Sequence, residues 1–92
     1  MRRGNKVEDL QALRKRIDEI DTQILKALGE RVAVCQKIGE YKKRQGLPIG
    51  DKNREEEVYS KAKGLAVEFA LEPARIEVLY REIVNMCIDI QK

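Results

Sequence analysis

An all-α fold of three helices, long, short and medium, is what this 92-residue sequence predicts. Two observations carry that expectation. Apolar residues recur at helical spacing along three stretches, and the breaks between them contain proline: GLPIGD at 46–51 and LEP at 71–73. No stretch alternates apolar and polar residues as a half-buried strand does. Neither an internal repeat nor a low-complexity tract interrupts the pattern.

The first helix is expected from Val7 to about Lys43. That stretch holds no proline, and its only glycines are Gly29 and Gly39. Leu10, Ile17, Ile24 and Ile38 fall on seven-residue steps, with Leu13, Ile20, Ala27 and Val34 as the companion seam. This is the pattern of a helix that packs against another helix. At 1.5 Å per residue it spans about 55 Å, whereas a compact domain of this size has a radius of gyration of only ~12 Å. The helix is too long for the rest of the chain to wrap, and a partner chain is expected.

Gly46 after Gln45, with Pro48 beyond, reads as a left-handed helix stop. Asp51 suits an N-cap, and Glu55 to Glu57 suit the positive end of the second helix. Its expected buried stripe is Val58, Ala62, Leu65, Ala66 and Phe69. Pro73 then falls in the first turn of the third helix. The stripe there is Ile76, Leu79, Tyr80, Ile83, Val84, Cys87 and Ile90.

Composition narrows the function. The chain is short for a self-sufficient core, with 38% charged and only 4% aromatic residues, so burial through oligomerisation is expected. The net charge of +3 comes from interspersed acids and bases, a solvated surface and not a nucleic-acid footprint. The head, MRRGNK, is basic, and residues 1–6 are expected to form a flexible segment ahead of one helical domain at 7–92. Cys35 and Cys87 sit within apolar periodic segments and read as small buried hydrophobes of a reducing compartment. The absence of histidine removes the commonest general base and metal ligand. No cofactor or metal is expected. Neither a signal peptide nor a membrane-length apolar run is visible, and a cytoplasmic protein is expected.

The residues that break the apolar seam are the informative ones. Arg31 takes the heptad step between Ile24 and Ile38, where an aliphatic side chain belongs. Lys42 lies about three turns on and only about 20° round at ~100° per residue. Two cations thus share one apolar face about 16 Å apart, close enough for their long side chains to converge on a small anion. Arg14 is a third cation beside the seam, about 25 Å from Arg31, so it reaches such a site only from a neighbouring protomer. Each also has a plainer reading, a methylene stem laid on apolar surface with the charge turned outward. Arg14 taken alone reads that way. For Arg31 and Lys42 together the two readings stand level, because unpaired inward cations cost several kcal/mol. Glu55 alone reads as dipole-stabilising surface, and Gln91 alone as a fraying helix end.

Taken in order, these residues carry a resemblance. L-R-x-x-I-D-x-I-D from Leu13, E-R at Glu30, Y-K-K at Tyr41 and P-I-x-D-x-x-R-E-E from Pro48 resemble the all-helical class of chorismate mutases. The resemblance covers Leu10 to Gln91. It implies an intertwined helical homodimer with antiparallel long helices and two sites, each completed by an arginine from the other chain. The implied reaction is the Claisen rearrangement of chorismate to prephenate, which needs neither nucleophile nor general base. By position, Arg14 of the partner and Arg31 match the carboxylate-binding arginines, and Lys42 matches the lysine reaching the ether oxygen. Gln91 matches the amide donor to that oxygen. Glu55 matches the acceptor for the ring hydroxyl, with Asp51 and Arg54 supporting the loop end. Cys87 departs from a serine that touches a substrate carboxylate in some relatives. Members of the family are often fused to other aromatic-pathway enzymes, and the chain stops one residue past Gln91.

Two rival readings stand beside this one. An isochorismate-pyruvate lyase or an aminodeoxychorismate mutase uses similar cations and the same glutamine, although the intact D-x-x-R-E after Pro48 favours the chorismate mutase. A non-catalytic helical dimerisation module gives no reason for Arg31 at an apolar step.

Overall fold

The computed structural model describes the backbone over residues 2–92 and side chains over 9–92, so the expected segment 1–6 lies outside the residues described in full. Three helices follow one another: α1 (Arg2–Gln45), α2 (Lys52–Glu68) and α3 (Pro73–Gln91). No strand occurs among the described residues. No helix among them is long and apolar enough to cross a membrane. The chain divides into two compact stretches, Met1–Arg31 and Val32–Lys92.

In the first stretch the described residues form part of α1 alone, and the heptad seam stands open. Leu10, Leu13, Ile17 and Ile24 are all exposed, Leu13 by 63%. Removing apolar area of this kind from water is worth roughly 25 cal/mol per Å².

The second stretch holds the core. α2 packs on α3, and the buried hydrophobic residues among those described are Cys35, Tyr59, Ala62, Ala66, Val84 and Cys87. The connections form as the sequence predicts. Gly46 adopts φ 69°, the Leu47 N–H donates to the Lys42 carbonyl at 2.8 Å, and the Gly46 N–H donates to that of Lys43 at 3.4 Å. This paired closure satisfies carbonyls that the helix end would otherwise orphan, and its left-handed residue favours glycine. Asp51 caps α2, its carboxylate accepting the Arg54 N–H at 3.2 Å. Pro73 opens α3, where its missing N–H costs nothing.

The stripe of α2 differs from expectation. Leu65 and Phe69 are 42% and 65% exposed, whereas Tyr59 is buried to 4%. Of the expected stripe, Ala62 and Ala66 are buried and Val58 is half-buried, and the buried face turns from Leu65 and Phe69 towards Tyr59. A polar tie accompanies that shift. Glu77 on α3 accepts from Arg81 Nη2 at 2.6 Å and Nε at 3.1 Å, and pairs with Lys63 of α2 at 3.1 Å. The Arg81 guanidinium lies 4.3 Å from the centre of the Tyr59 ring, a cation–π contact between the two helices.

Arg81 first, and Lys63 after it, hold the Glu77 carboxyl below its ordinary value. A depressed carboxyl contributes stability that is fully present above the unfolded glutamate value of ~4.3. It is lost as the pH falls through the folded value. Denaturant titrations across the acid range should therefore show a stability loss that Glu77→Gln reduces. Identical acid limbs in the two proteins would mean the tie is inert.

Ala70 supplies a second test. It closes α2 with φ 59°, its N–H donating to the Val67 carbonyl at 3.2 Å while the Leu71 N–H reaches that of Ala66 at 2.7 Å. A side chain in this region costs about 1–2 kcal/mol, against about 0.5–1 for the extra freedom of glycine in the unfolded chain. Ala70→Gly should stabilise the protein by about 0.5–1 kcal/mol. The readout is the melting temperature at fixed concentration, and a fall in it would contradict the assignment.

Candidate active site

Lys42 sits in the last turn of α1, half-buried. Its ammonium donates to the Ile49 carbonyl at 2.8 Å. The loop that breaks the helix thus returns to hold the cation, and only one of its three hydrogens is used there. Asp51 ends this loop, and Arg54 follows in the first turn of α2. Asp51 is committed to the cap of α2, and Arg54 pairs with Glu57 at 3.3 Å, both side chains being exposed. Glu55 is half-buried in the first turn of α2. Its backbone N–H donates to the Asp51 carbonyl at 3.0 Å.

Gln91 is the last residue of α3 and is also half-buried. Its Nε2 donates to the Cys87 carbonyl one turn back at 3.1 Å. A carbonyl only accepts, so the amide must present its nitrogen there, and the second N–H hydrogen points elsewhere. Its Oε1 is buried with no hydrogen-bond partner among the described residues. Cys87 itself is buried within α3.

Gln91 meets α1 at Gly39. A Cβ built on Gly39 would lie 2.9 Å from the Gln91 Cγ and 3.0 Å from both its Cα and its Cβ. Lys42 is one turn beyond Gly39 on the same side of the helix, since residues three apart are neighbours. Gln91 is thus seated against α1 at Gly39, while the Lys42 ammonium is held by the loop at Ile49. A groove of about 320 Å³ opens beside the contact, with Gln36, Glu40, Lys43, Gln91 and Lys92 among its walls. Of the residues singled out from the sequence, only Gln91 lines it.

Arg14 and Arg31 belong to the other stretch, where Arg14 is exposed and Arg31 half-buried. Sequence reasoning passed over Gly39. The available signal was a glycine inside a helix, which costs about 1 kcal/mol against alanine and so asks for a packing reason. No cluster of three or more acidic, cysteine or histidine side chains able to hold a metal occurs among the described residues.

Comparison with known proteins converges on one family. Residues 13–92 match the family model described as chorismate mutase type II. A bifunctional chorismate mutase/prephenate dehydratase of Aquifex aeolicus is 39% identical over 89 residues, which cover 94% of this chain and 25% of that protein. A chorismate mutase of Methanocaldococcus jannaschii is 40% identical over 62 residues, covering 67% of this chain and 63% of that one. Among solved structures, a conserved hypothetical protein from Pyrococcus furiosus superposes with a TM-score of 0.73 at 38% identity, over 90% of this chain and 95% of that chain. The chain spans a quarter of the first relative's length and under two thirds of the second's.

Proposed function

The chain belongs to the chorismate mutase type II family, and from that membership we propose that it catalyses the rearrangement of chorismate to prephenate. The family match carries the reading, and two features support it: Lys42 is half-buried with its ammonium held by the Ile49 carbonyl, and Gln91 is seated against Gly39. Both side chains are hydrogen-bond donors, and neither needs to exchange a proton to act.

The rearrangement suits such a site. One C–O bond of the enol ether breaks as one C–C bond forms, within a single molecule and without an intermediate. Negative charge grows on the ether oxygen as the C–O bond lengthens. Donors already aimed at that oxygen stabilise the transition state more than the ground state, which is the condition for acceleration. Lys42 and the second Nε2 hydrogen of Gln91 take this role. Arg31 and the partner's Arg14 hold the two substrate carboxylates and draw the molecule into its reactive, folded conformer. Glu55 accepts from the ring hydroxyl. Asp51 and Arg54 support the loop end, and Cys87 backs the carboxylate side, where its thiol is a weaker donor than a hydroxyl.

The assembly in this reading is a homodimer with α1 helices crossing, in a cytoplasmic protein of aromatic amino acid biosynthesis. The exposed seam of Leu10, Leu13, Ile17 and Ile24, together with exposed Leu65 and Phe69, supports it. Apolar stripes of this kind are what helix pairing buries. No cofactor, membrane or nucleic acid takes part. Loss of chorismate absorbance with purified protein and no added metal is the test, and it should be first order at low substrate. A rate no faster than the spontaneous one would remove the proposal.

A further inference from the structure

We infer that Gly39 is a positioning residue for the Gln91 amide. This rests on the reading above in one respect, that the amide serves the ether oxygen. Gly39 is buried, and Gln91 lies against its backbone through three successive carbons, Cα, Cβ and Cγ. Ordinary carbon–carbon contacts fall near 3.5–4.0 Å. The spaces of 2.9–3.0 Å left for a Cβ at position 39 fall well short of that. Any side chain there must drive the end of α3 outward by several tenths of an ångström or more.

The amide's own hydrogen bonds do not fix its place. One N–H reaches the Cys87 carbonyl in the same helix, and the buried Oε1 has no partner among the described residues. Leaving that acceptor unsatisfied costs about 1–3 kcal/mol. A terminal helix residue swings out to hydrate such a group unless packing prevents it. The packing at this position is the α1 backbone at Gly39. Gly29 shows the contrast, since a Cβ there meets nothing within 4 Å. Both glycines carry the same helix penalty, yet only Gly39 has a close neighbour to accommodate.

Because Gln91 ends α3, Gly39→Ala has a local outlet for its clash and should displace the last turn without unfolding the chain. Alanine also improves helix propensity at the site. The expected loss lies in kcat, because the ether oxygen becomes a strong acceptor only in the transition state. Displacements approaching 1 Å in positioned groups cost up to roughly 100-fold, so a kcat fall of about 10- to 100-fold with little change in KM is expected. Gly29→Ala should leave both constants unchanged.

The decisive measurements are a double-mutant comparison and the side-chain amide resonances of Gln91 in ¹⁵N–¹H spectra, assigned by their loss in Gln91→Ala. Gly39→Ala should move that pair of signals towards free-glutamine positions. It should also cost nothing further in kcat when added to Gln91→Ala. Unmoved resonances, or a kcat loss that persists in the Gln91→Ala background, would overturn the assignment. Should the wild type leave chorismate untouched, the functional reading fails, and the resonances still decide whether Gly39 positions the amide. If Gly39→Ala does not fold, Gly39→Ala combined with Gln91→Gly removes two of the three opposing atoms. Recovery of the fold in that pair supports the contact, and no recovery contradicts it.

Discussion

Refolded together in equal amounts, Arg14→Ala and Lys42→Ala should recover about a quarter of wild-type activity, although each alone is nearly inactive. Losing one preorganised charge contact typically costs ~100-fold or more in rate. Lys42 lies at the loop end of α1, tethered at 2.8 Å to the Ile49 carbonyl. Arg14 lies in the other stretch of the chain, and its sequence spacing from Arg31, about 25 Å along a helix, is the reason its contribution is expected from the partner. Random pairing makes about half the dimers mixed. In a mixed dimer, the site on the Arg14→Ala chain has its own Lys42 and receives the partner's Arg14. The opposite site lacks both. One working site in each mixed dimer gives the quarter. If Arg14 acts within its own chain, mixing yields only the parental average. The readout is chorismate turnover, with mixed dimers counted by native mass spectrometry.

The second large effect concerns Gln91. Its amide is a donor at every working pH. Gln91→Glu replaces it by a carboxyl that donates only when protonated, near a reference value of ~4.3. Once ionised, that carboxyl sets a negative charge against the growing charge on the ether oxygen. Activity of the variant should survive in acid and fall by ~100-fold or more towards neutrality, whereas the wild type stays nearly flat. Lys42 is one turn from the Gly39 contact, and its charge extends the ionised range of the introduced carboxyl downward. The descent is therefore expected on the acid side of pH 7. A variant profile parallel to the wild type would leave Gln91 as an ordinary helix end.

Much of the fold was legible because its punctuation is local. Gly46, Asp51 and Pro73 each impose a backbone geometry that their own chemistry explains, and the helices stop and start there. The half-burial of Lys42 follows from its place on a face that is otherwise apolar, and its catalytic role is a proposal. What escaped depends on contacts between helices. Ala62 and Ala66 were expected to be buried and are, but only packing on α3 brings Tyr59 into that face and leaves Leu65 and Phe69 exposed. Ala70 in the left-handed region gives no warning, since alanine is a strong helix former. The approach of Gln91 to Gly39 joins residues far apart in sequence, and no spacing rule within one helix reveals it.

Lys42 and Gln91 are proposed to serve a rearrangement site for chorismate. Purified protein incubated in parallel with chorismate, isochorismate and 4-amino-4-deoxychorismate, with products identified by proton NMR, tests that role most directly. Prephenate is expected as the single product from chorismate, with chorismate having the highest kcat/KM of the three. Salicylate and pyruvate from isochorismate as the favoured reaction, preference for the amino analogue, or no turnover of any substrate would contradict it.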